Sequence, residues 1–467
     1  MFVSLEAELP AYYLNGSGAV LPQDFQRVWD SFSHNGWIRD DFGVHKNLDN
    51  PHGFLKSGHS ISTDAGPIFE IVVQPDTTIQ TIDAQLLELR NLSLNHLNEL
   101  GIGLLGSGVH PLLATIDQDN YLRYRTPRRA YDYAIEKRGW AHHTMINIAA
   151  TQEIIDVDIE QAVDVVRVMH CLTGLLIFLF RNDPDYSGKT QLLSVRPQAW
   201  YNHVPTEGQF AEDRHKVWLP EKPMMDWNDY LYLLWQTSPM FVLGTKNNGA
   251  VYIPQHPHFW EFLFEAPSQG WQAARMVDDQ KRTITPEWSH LNQSDWPYMG
   301  LARLRWQWLE REDTQLDELA KAVERGNGHV VGFLKENLRK VVIENRSVAA
   351  APPGEELVSL ALIVGIMQNF ASVQRYVEVM PYDFWVKLAR AAEIQPLDSR
   401  FDGHSVINML KTLLELSRTG LLQRGLNEDV YLDVLDKRLR DKLSPSERML
   451  QIFHREGIDG VIRKLTY

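Results

Sequence analysis

The sequence predicts an α+β chain, with strands mostly early and helices mostly late. Three observations point there. The first third alternates short strand-like runs with amphipathic helices. The middle, 197–300, is rich in Trp, Pro, His and Asn, as expected of long ligand-handling loops over a core. From about Thr314 one helical pattern follows another. On that change of character we divide the chain into a core, 1–313, and a helical part, 314–467, packed on it as one unit.

In chain order, "FVSLEAEL" and "PIFEIVVQP" read as strands and "QDFQRVWDSFSHNG" as a helix between them. In "TIDAQLLELRNLSLNHLNELG", Ile82, Leu86, Leu89, Leu97 and Leu100 recur at helical spacing, and Gly101 is the stop. The following "GIGLLGSGVHP" contains G-x-G-x-x-G at Gly101, Gly103 and Gly106. A pyrophosphate cradle needs a strand before those glycines and a helix opening after them. Here the order is reversed, so neither NAD nor FAD is expected. "HTMINIAATQE" is a further strand candidate, followed by a helix from about Ile159 to Phe180.

Beyond Thr314, "LDELAKAVERGNGHVVGFLKENLRKVVIENR", "PPGEELVSLALIVGIMQNFASVQRYVEV" and "GHSVINMLKTLLELSRTGLLQRG" read as helices. "SPSERMLQIFHREG" is the best signposted, with Ser444 as N-cap, Pro445 at the first position, Glu447 closing a capping box and Gly457 as stop.

A length of 467 residues allows a large buried core, and 44% hydrophobic with 23% charged residues argues against disorder. A net charge of −14 disfavours nucleic acid as a partner, since phosphates need a basic face. One cysteine, Cys171, leaves no disulfide framework and no multi-cysteine metal site, which suits the cytoplasm. The N-terminus "MFVSLEAELPAYY" has no basic start of the signal-peptide kind. The apolar runs "CLTGLLIFLF" and "LVSLALIVGIM" fall short of the ~20 residues of a membrane span and read as core, so no membrane partner is expected.

Carboxylates stand where strands should be apolar. Glu6 and Glu8, at i and i+2, share one face. Glu70 lies inside "IFEIVVQ", and a buried carboxylate requires a partner. Asp64 sits just before, in "STDAGP". Two readings stand: a solvated edge strand with an arginine partner for Glu70, or a site for a hard divalent cation, Mg2+ rather than Zn2+. His256 and His258 in "PQHPHFW" lack a third ligand, and adjacent His142 and His143 would point apart on a strand.

At "GHSISTDAGPIFEIVVQP" the chain resembles the plant and proteobacterial type of glutamate–cysteine ligase, whose pattern there is G-Q-S-I-S-x-E-P-G-G-Q-x-E-L. Ser60, Ile61, Ser62, Gly66, Phe69, Glu70 and Pro75 match, and Asp64 stands where that family has Glu. "SLEAE" resembles its opening E-x-E, and "GIGLLGSGVHP" its G-I-G-F-L-G-x-G-x-x-P. "LLSVRPQAW" resembles L-S-M-R-x-x-x-W, matching Ser194, Arg196 and Trp200; "WSHLNQSDWP" resembles N-H-L-T-T-x-F-P. "ELSRTGLLQRG" and "SPSERML" resemble its A-x-x-G-L-x-x-R-G and T-P-A-E-x-L.

The resemblance implies a glutamine-synthetase-like fold, a curved, largely antiparallel sheet with surrounding helices and a helical C-terminal part. It implies a ligase that uses ATP with Mg2+ (or Mn2+) to phosphorylate a carboxylate, that of glutamate, which an amine such as cysteine then attacks. It assigns Glu6, Glu8, Asp64 and Glu70 to metal and Arg196 with Ser194 to ATP. Arg129 (or Arg128), Arg305 and Asn147 go to the amino acid. Arg196, Arg303 and Glu310 go to catalysis, with Arg311 beside them. Within the family strand T-V-Q-V-N, the Gln falls on Asn147 and the Asn on Ala149. An ungapped alignment of "ARLRWQWLERED" puts tryptophans where Glu and Arg belong, and a shift restores the arginines. The partners implied are small molecules, to a monomer or homodimer; the alternatives are a ligase of another acid or amine, and a non-catalytic relative.

Overall fold

In the computed structural model, the residues described are 1–34, 37–39, 45–47, 59–63, 66–112, 139, 146–208, 211–235, 241–243, 250–252, 273–277, 280–284, 300–310 and 315–467. The strands are β1 (Val3–Tyr13), β2 (Trp37–Arg39), β3 (His45–Asn47), β4 (Ser60–Thr63), β5 (Ile68–Val72), β6 (Ile102–Leu104) and β7 (Thr151–Asp156). They continue as β8 (Phe241–Leu243), β9 (Ala250–Tyr252), β10 (Ala273–Val277), β11 (Gln280–Ile284), β12 (Ala302–Trp308), β13 (Leu338–Asn345), β14 (Arg400–Phe401) and β15 (His404–Ser405). The helices are α1 (Pro22–His34), α2 (Ile79–Glu99), α3 (Ala162–Phe180), α4 (Arg196–His203), α5 (Trp227–Trp235), α6 (Leu316–Arg325) and α7 (Asn327–Asn337). After β13 come α8 (Glu356–Gln368), α9 (Phe370–Val377), α10 (Tyr382–Ala391), α11 (Val406–Arg424), α12 (Asp433–Asp441) and α13 (Pro445–Leu465).

One large antiparallel sheet organises the molecule, in the order β12-β13-β7-β1-β5-β4-β3-β2, with β6 pairing the far end of β1. A curled antiparallel sheet wrapped by helices is the α+β architecture that the sequence implied. Strand period two sorts its side chains. Leu5, Ala7, Leu9, Phe69, Ile71, Ile155, Ile343, Leu304 and Trp306 enter the core with α3. The other face carries the charges. Among the described residues α3 alone is long and apolar enough to cross a membrane, and it is buried inside the protein nearly throughout. A second sheet, β11-β10-β9-β8, fills part of the aromatic-rich middle.

The sequence expected only helix after Thr314, and here the structure differs. "LRKVVIEN" is β13, because its β-branched Val341, Val342 and Ile343 complete a ladder between β12 and β7. The last helix follows its signposts: the Ser444 hydroxyl and the Glu447 carboxylate close the capping box, and Gly457 (φ 67°) breaks α13.

The glycine stretch leaves α2 rather than opening a helix. Leu100 caps α2, Gly101 takes φ 72°, and Ile102–Leu104 becomes β6. Gly106 is required by packing: a Cβ there would stand 2.5 Å from the Ala351 carbonyl oxygen.

Candidate active site

The site begins with the alternation in β1. Leu5, Ala7 and Leu9 go to the core, so Glu6 and Glu8 go to the opposite face. β1 is a central strand, paired on both sides by β5 and β7, which removes the solvated-edge reading. The β1–β5 register sets Glu70 opposite Glu8. Glu6, Glu8 and Glu70 each bring a carboxylate oxygen to within 4.8 Å of the other two.

Among the described residues, neutral donors hold these oxygens. Glu8 accepts from the Ala150 backbone N–H at 2.6 Å, Glu70 from the Ser62 hydroxyl at 2.7 Å. The Gln152 amide nitrogen donates to Glu6 at 2.8 Å and Glu8 at 2.6 Å. Burial, then Glu70, Glu8 and Glu344, push the Glu6 carboxyl well above its usual range, and Arg346 pulls it back only in part. Three carboxylates converging in this way fit a hard divalent cation, whose ligands are carboxylate oxygens. Asp64, expected beside them, lies outside the described residues, as do Arg128, Arg129, Arg311, His142, His143, His256 and His258.

The same face turns cationic across β7. In β12, Trp306 and Trp308 are buried while Arg303, Arg305 and Gln307 alternate to the other side. Trp306 packs edge-on to Trp227 and Trp308 to Phe333. The tryptophans are core, and the arginines take the polar face. There they meet Glu344 of β13, directly opposite Arg303. Glu344 pairs with Arg303, with Arg305 at 3.0 Å and with Arg346 at 3.5 Å. Burial alone would raise the Glu344 carboxyl, but the three guanidiniums outweigh it and hold it well below the usual range. Glu344 thus gathers three guanidiniums on this face of the sheet.

Other expected residues stand elsewhere. Glu310 is exposed two residues past the end of β12, so it is not part of the arginine cluster. Ser194 gives its hydroxyl to Asp183, at 2.9 and 3.0 Å. Burial raises that aspartate to about 6 against these hydrogen bonds. Arg196 opens α4 and is 3% exposed. Its backbone N–H donates to Asp183 at 2.7 Å and its guanidinium to the Arg346 carbonyl at 2.5 Å, so it braces the strand end that carries Arg346. Asn147 lies in a turn before β7, beside a cavity of about 460 Å³ walled by Val109, Ile148, Val195 and Phe453. The glutamine that reaches the site is Gln152, within "ATQEIID", because the strand starts at Thr151.

Gln152, Glu344, Arg346 and Ser62 had no assigned role in the sequence. Glu344 closes the β-branched run Val341–Ile343, a signal like that of Glu70, whereas Gln152, between Thr151 and Glu153, had none. Ser62 lay within a matched motif. Arg346 had no local signal.

The model of glutamate–cysteine ligase family 2 matches residues 28–466. A chloroplastic glutamate–cysteine ligase of Medicago truncatula is 25% identical over 146 residues, 30% of this chain and 28% of that protein. The match thus spans less than a third of that relative's length. The crystal structure of a glutamate–cysteine ligase from Francisella tularensis in complex with AMP superposes with a TM-score of 0.54. It is 12% identical, over 99% of this chain and 87% of the other. A bifunctional glutathione synthetase from Pasteurella multocida superposes with a TM-score of 0.50 at 11% identity, over 99% of this chain and 50% of that one. These two superpositions concern the fold; the match over residues 28–466 concerns descent, and by it the chain belongs to glutamate–cysteine ligase family 2, a family of ligases.

Proposed function

We propose that the protein is an ATP- and Mg2+-dependent ligase that joins the γ-carboxylate of glutamate to an amine, with cysteine the leading candidate. The observation that carries this is the two-signed sheet face, with Glu6, Glu8 and Glu70 on one side of Gln152 and Arg303, Arg305 and Arg346 around Glu344 on the other. Glu6, Glu8 and Glu70 would hold Mg2+, which when bound neutralises phosphate charge. In the reading, a carboxylate oxygen of the acid attacks the γ-phosphorus of ATP, ADP leaves, and an acyl phosphate forms. The amine nitrogen then attacks the acyl carbon, phosphate departs and the nitrogen loses a proton. Phosphoryl transfer asks a protein for positioning and charge more than for a covalent nucleophile. Arg305 and Arg303 supply both by holding the free carboxylate of the amino acid, for which a planar guanidinium is suited. AMP in the Francisella tularensis structure supports a nucleotide co-substrate.

The test is ADP release with Mg2+-ATP, L-glutamate and a panel of amines including cysteine, with mass spectrometry for the new amide. Glutamate-dependent ADP and a γ-glutamyl amide are expected. ADP release with another acid redirects the reading to that acid, and none with any acid or amine favours a non-catalytic relative.

A further inference from the structure

Between the two charged halves stands one neutral side chain. Gln152, 1% exposed, donates from its amide nitrogen to Glu6 and Glu8, and its amide oxygen accepts from the Arg346 guanidinium at 2.9 Å. An amide has a donor end and an acceptor end, and it could be seated either way round. Here the direction is set. A guanidinium can only donate, so Arg346 fixes the oxygen end, and the nitrogen end must then face the carboxylates. Each carboxylate receives its donor in consequence, and two like charges two residues apart on one strand are held side by side.

We infer that Gln152 is a positioning residue for the carboxylate cluster, and that Arg346 acts on the cluster through it by fixing the amide's direction. The inference rests on the metal reading of Glu6, Glu8 and Glu70. It makes a prediction opposite in sign to simple electrostatics. As a nearby positive charge, Arg346 repels a cation, so removing it should tighten cation binding. As the anchor of Gln152, its loss frees the amide to turn its oxygen towards the carboxylates and weakens binding instead. Glu344 keeps Arg303 and Arg305 in that variant, so its carboxylate is not stranded.

The probe is Mn2+ alone, titrated into the full chain and followed by electron paramagnetic resonance, with thermal unfolding to check the fold. Gln152→Met, near-isosteric and apolar, is expected to weaken Mn2+ binding about 10–100-fold, the usual range for groups that orient metal ligands. Arg346→Met is expected to weaken it severalfold, and the double variant to bind no more weakly than Gln152→Met. Unchanged binding in a folded Gln152→Met, or binding as tight or tighter in Arg346→Met, overturns the inference. If Gln152→Met does not fold, the direction of the change in Arg346→Met decides by itself. No Mn2+ binding by the unmodified chain removes the metal reading, and this inference with it; binding that the variants leave intact removes only the inference.

Discussion

Glu8 and Glu70 are Cα partners across the β1–β5 ladder, two carboxylates set face to face on central strands. Like charges directly opposite destabilise a sheet, so on the metal reading the pair weakens the metal-free fold. Glu70→Gln keeps an acceptor for the Ser62 hydroxyl and removes one charge. The metal-free variant should melt at the same temperature or higher, by about 1–2 °C for a gain of roughly 1 kcal/mol. It should also lose the further stabilisation that Mg2+-ATP gives the unmodified protein. Thermal unfolding of both proteins, with and without Mg2+-ATP, reads the two effects. A metal-free loss of several degrees would assign Glu70 to a structural cation instead.

Glu344 behaves in the opposite way. Its carboxylate is the shared partner of three guanidiniums. Glu344→Gln leaves them in mutual repulsion and should destabilise by about 3–5 kcal/mol, measured by urea unfolding. A change within 1 kcal/mol would show that the arginines do not depend on it.

Arg305 should act on substrate rather than on the fold. Loss of a charge-assisted contact of about 1.5–3 kcal/mol raises KM for the acid roughly 10–100-fold in Arg305→Ala. Steady-state kinetics that show the whole loss in kcat, with KM unmoved, would take the substrate carboxylate away from Arg305.

Arg196→Lys should destabilise the protein by about 1–3 kcal/mol, since one ammonium cannot replace a buried planar guanidinium. Its backbone bond to Asp183 survives. Thermal unfolding measures the effect. Undiminished stability with lost ATP affinity would return Arg196 to direct phosphate contact.

Glu153 gives the protein a pH dependence. It lies in β7 next to Gln152 but on the buried face, with Asn345 donating to it at 2.6 Å. Burial raises its carboxyl to about 7 against the Asn345 hydrogen bond and the Arg196 charge. An unfolded chain releases that proton near 4.5, so between about 4.5 and 7 the native state binds the more protons. Its contribution is fully present below 4.5 and lost as pH rises through 7. Glu153→Gln should flatten this slope and gain up to about 3 kcal/mol on the unmodified protein by pH 8. Urea unfolding at pH 5 and pH 8 checks it, and parallel pH profiles would remove Glu153 as the source.

What the sequence revealed about the site follows from what a strand encodes locally. The two-residue period puts Glu6 and Glu8 together, and Glu70 stands out against Ile68, Phe69, Ile71 and Val72. Caps are equally local, so Ser444, Glu447 and Gly101 announced themselves. Gln152 meets Glu6 across 146 residues of sequence and Arg346 across 194, while the β7–β13 ladder places Glu344, and such registers are tertiary. A one-residue slip exchanges the faces of a strand, which is why "ARLRWQW" was ambiguous until β13 fixed Arg303 opposite Glu344. "LRKVVIEN" shows the complementary error, since a short apolar run has no period of its own to separate helix from strand.

The glycine stretch also bears on when the site can be finished. Leu105 bridges to Thr466, the Gly106 N–H donates to the Leu465 carbonyl, and the Tyr467 N–H donates to the Leu104 carbonyl. β6, hydrogen-bonded along β1 just beyond Glu8, is therefore latched by residues made some 360 positions later. At about 5–20 residues per second, a ribosome takes roughly 20–70 s to cover that interval. Throughout it, the nascent chain carries its carboxylate strand with the latch still open, so this end of the sheet is completed long after the strand itself has been made.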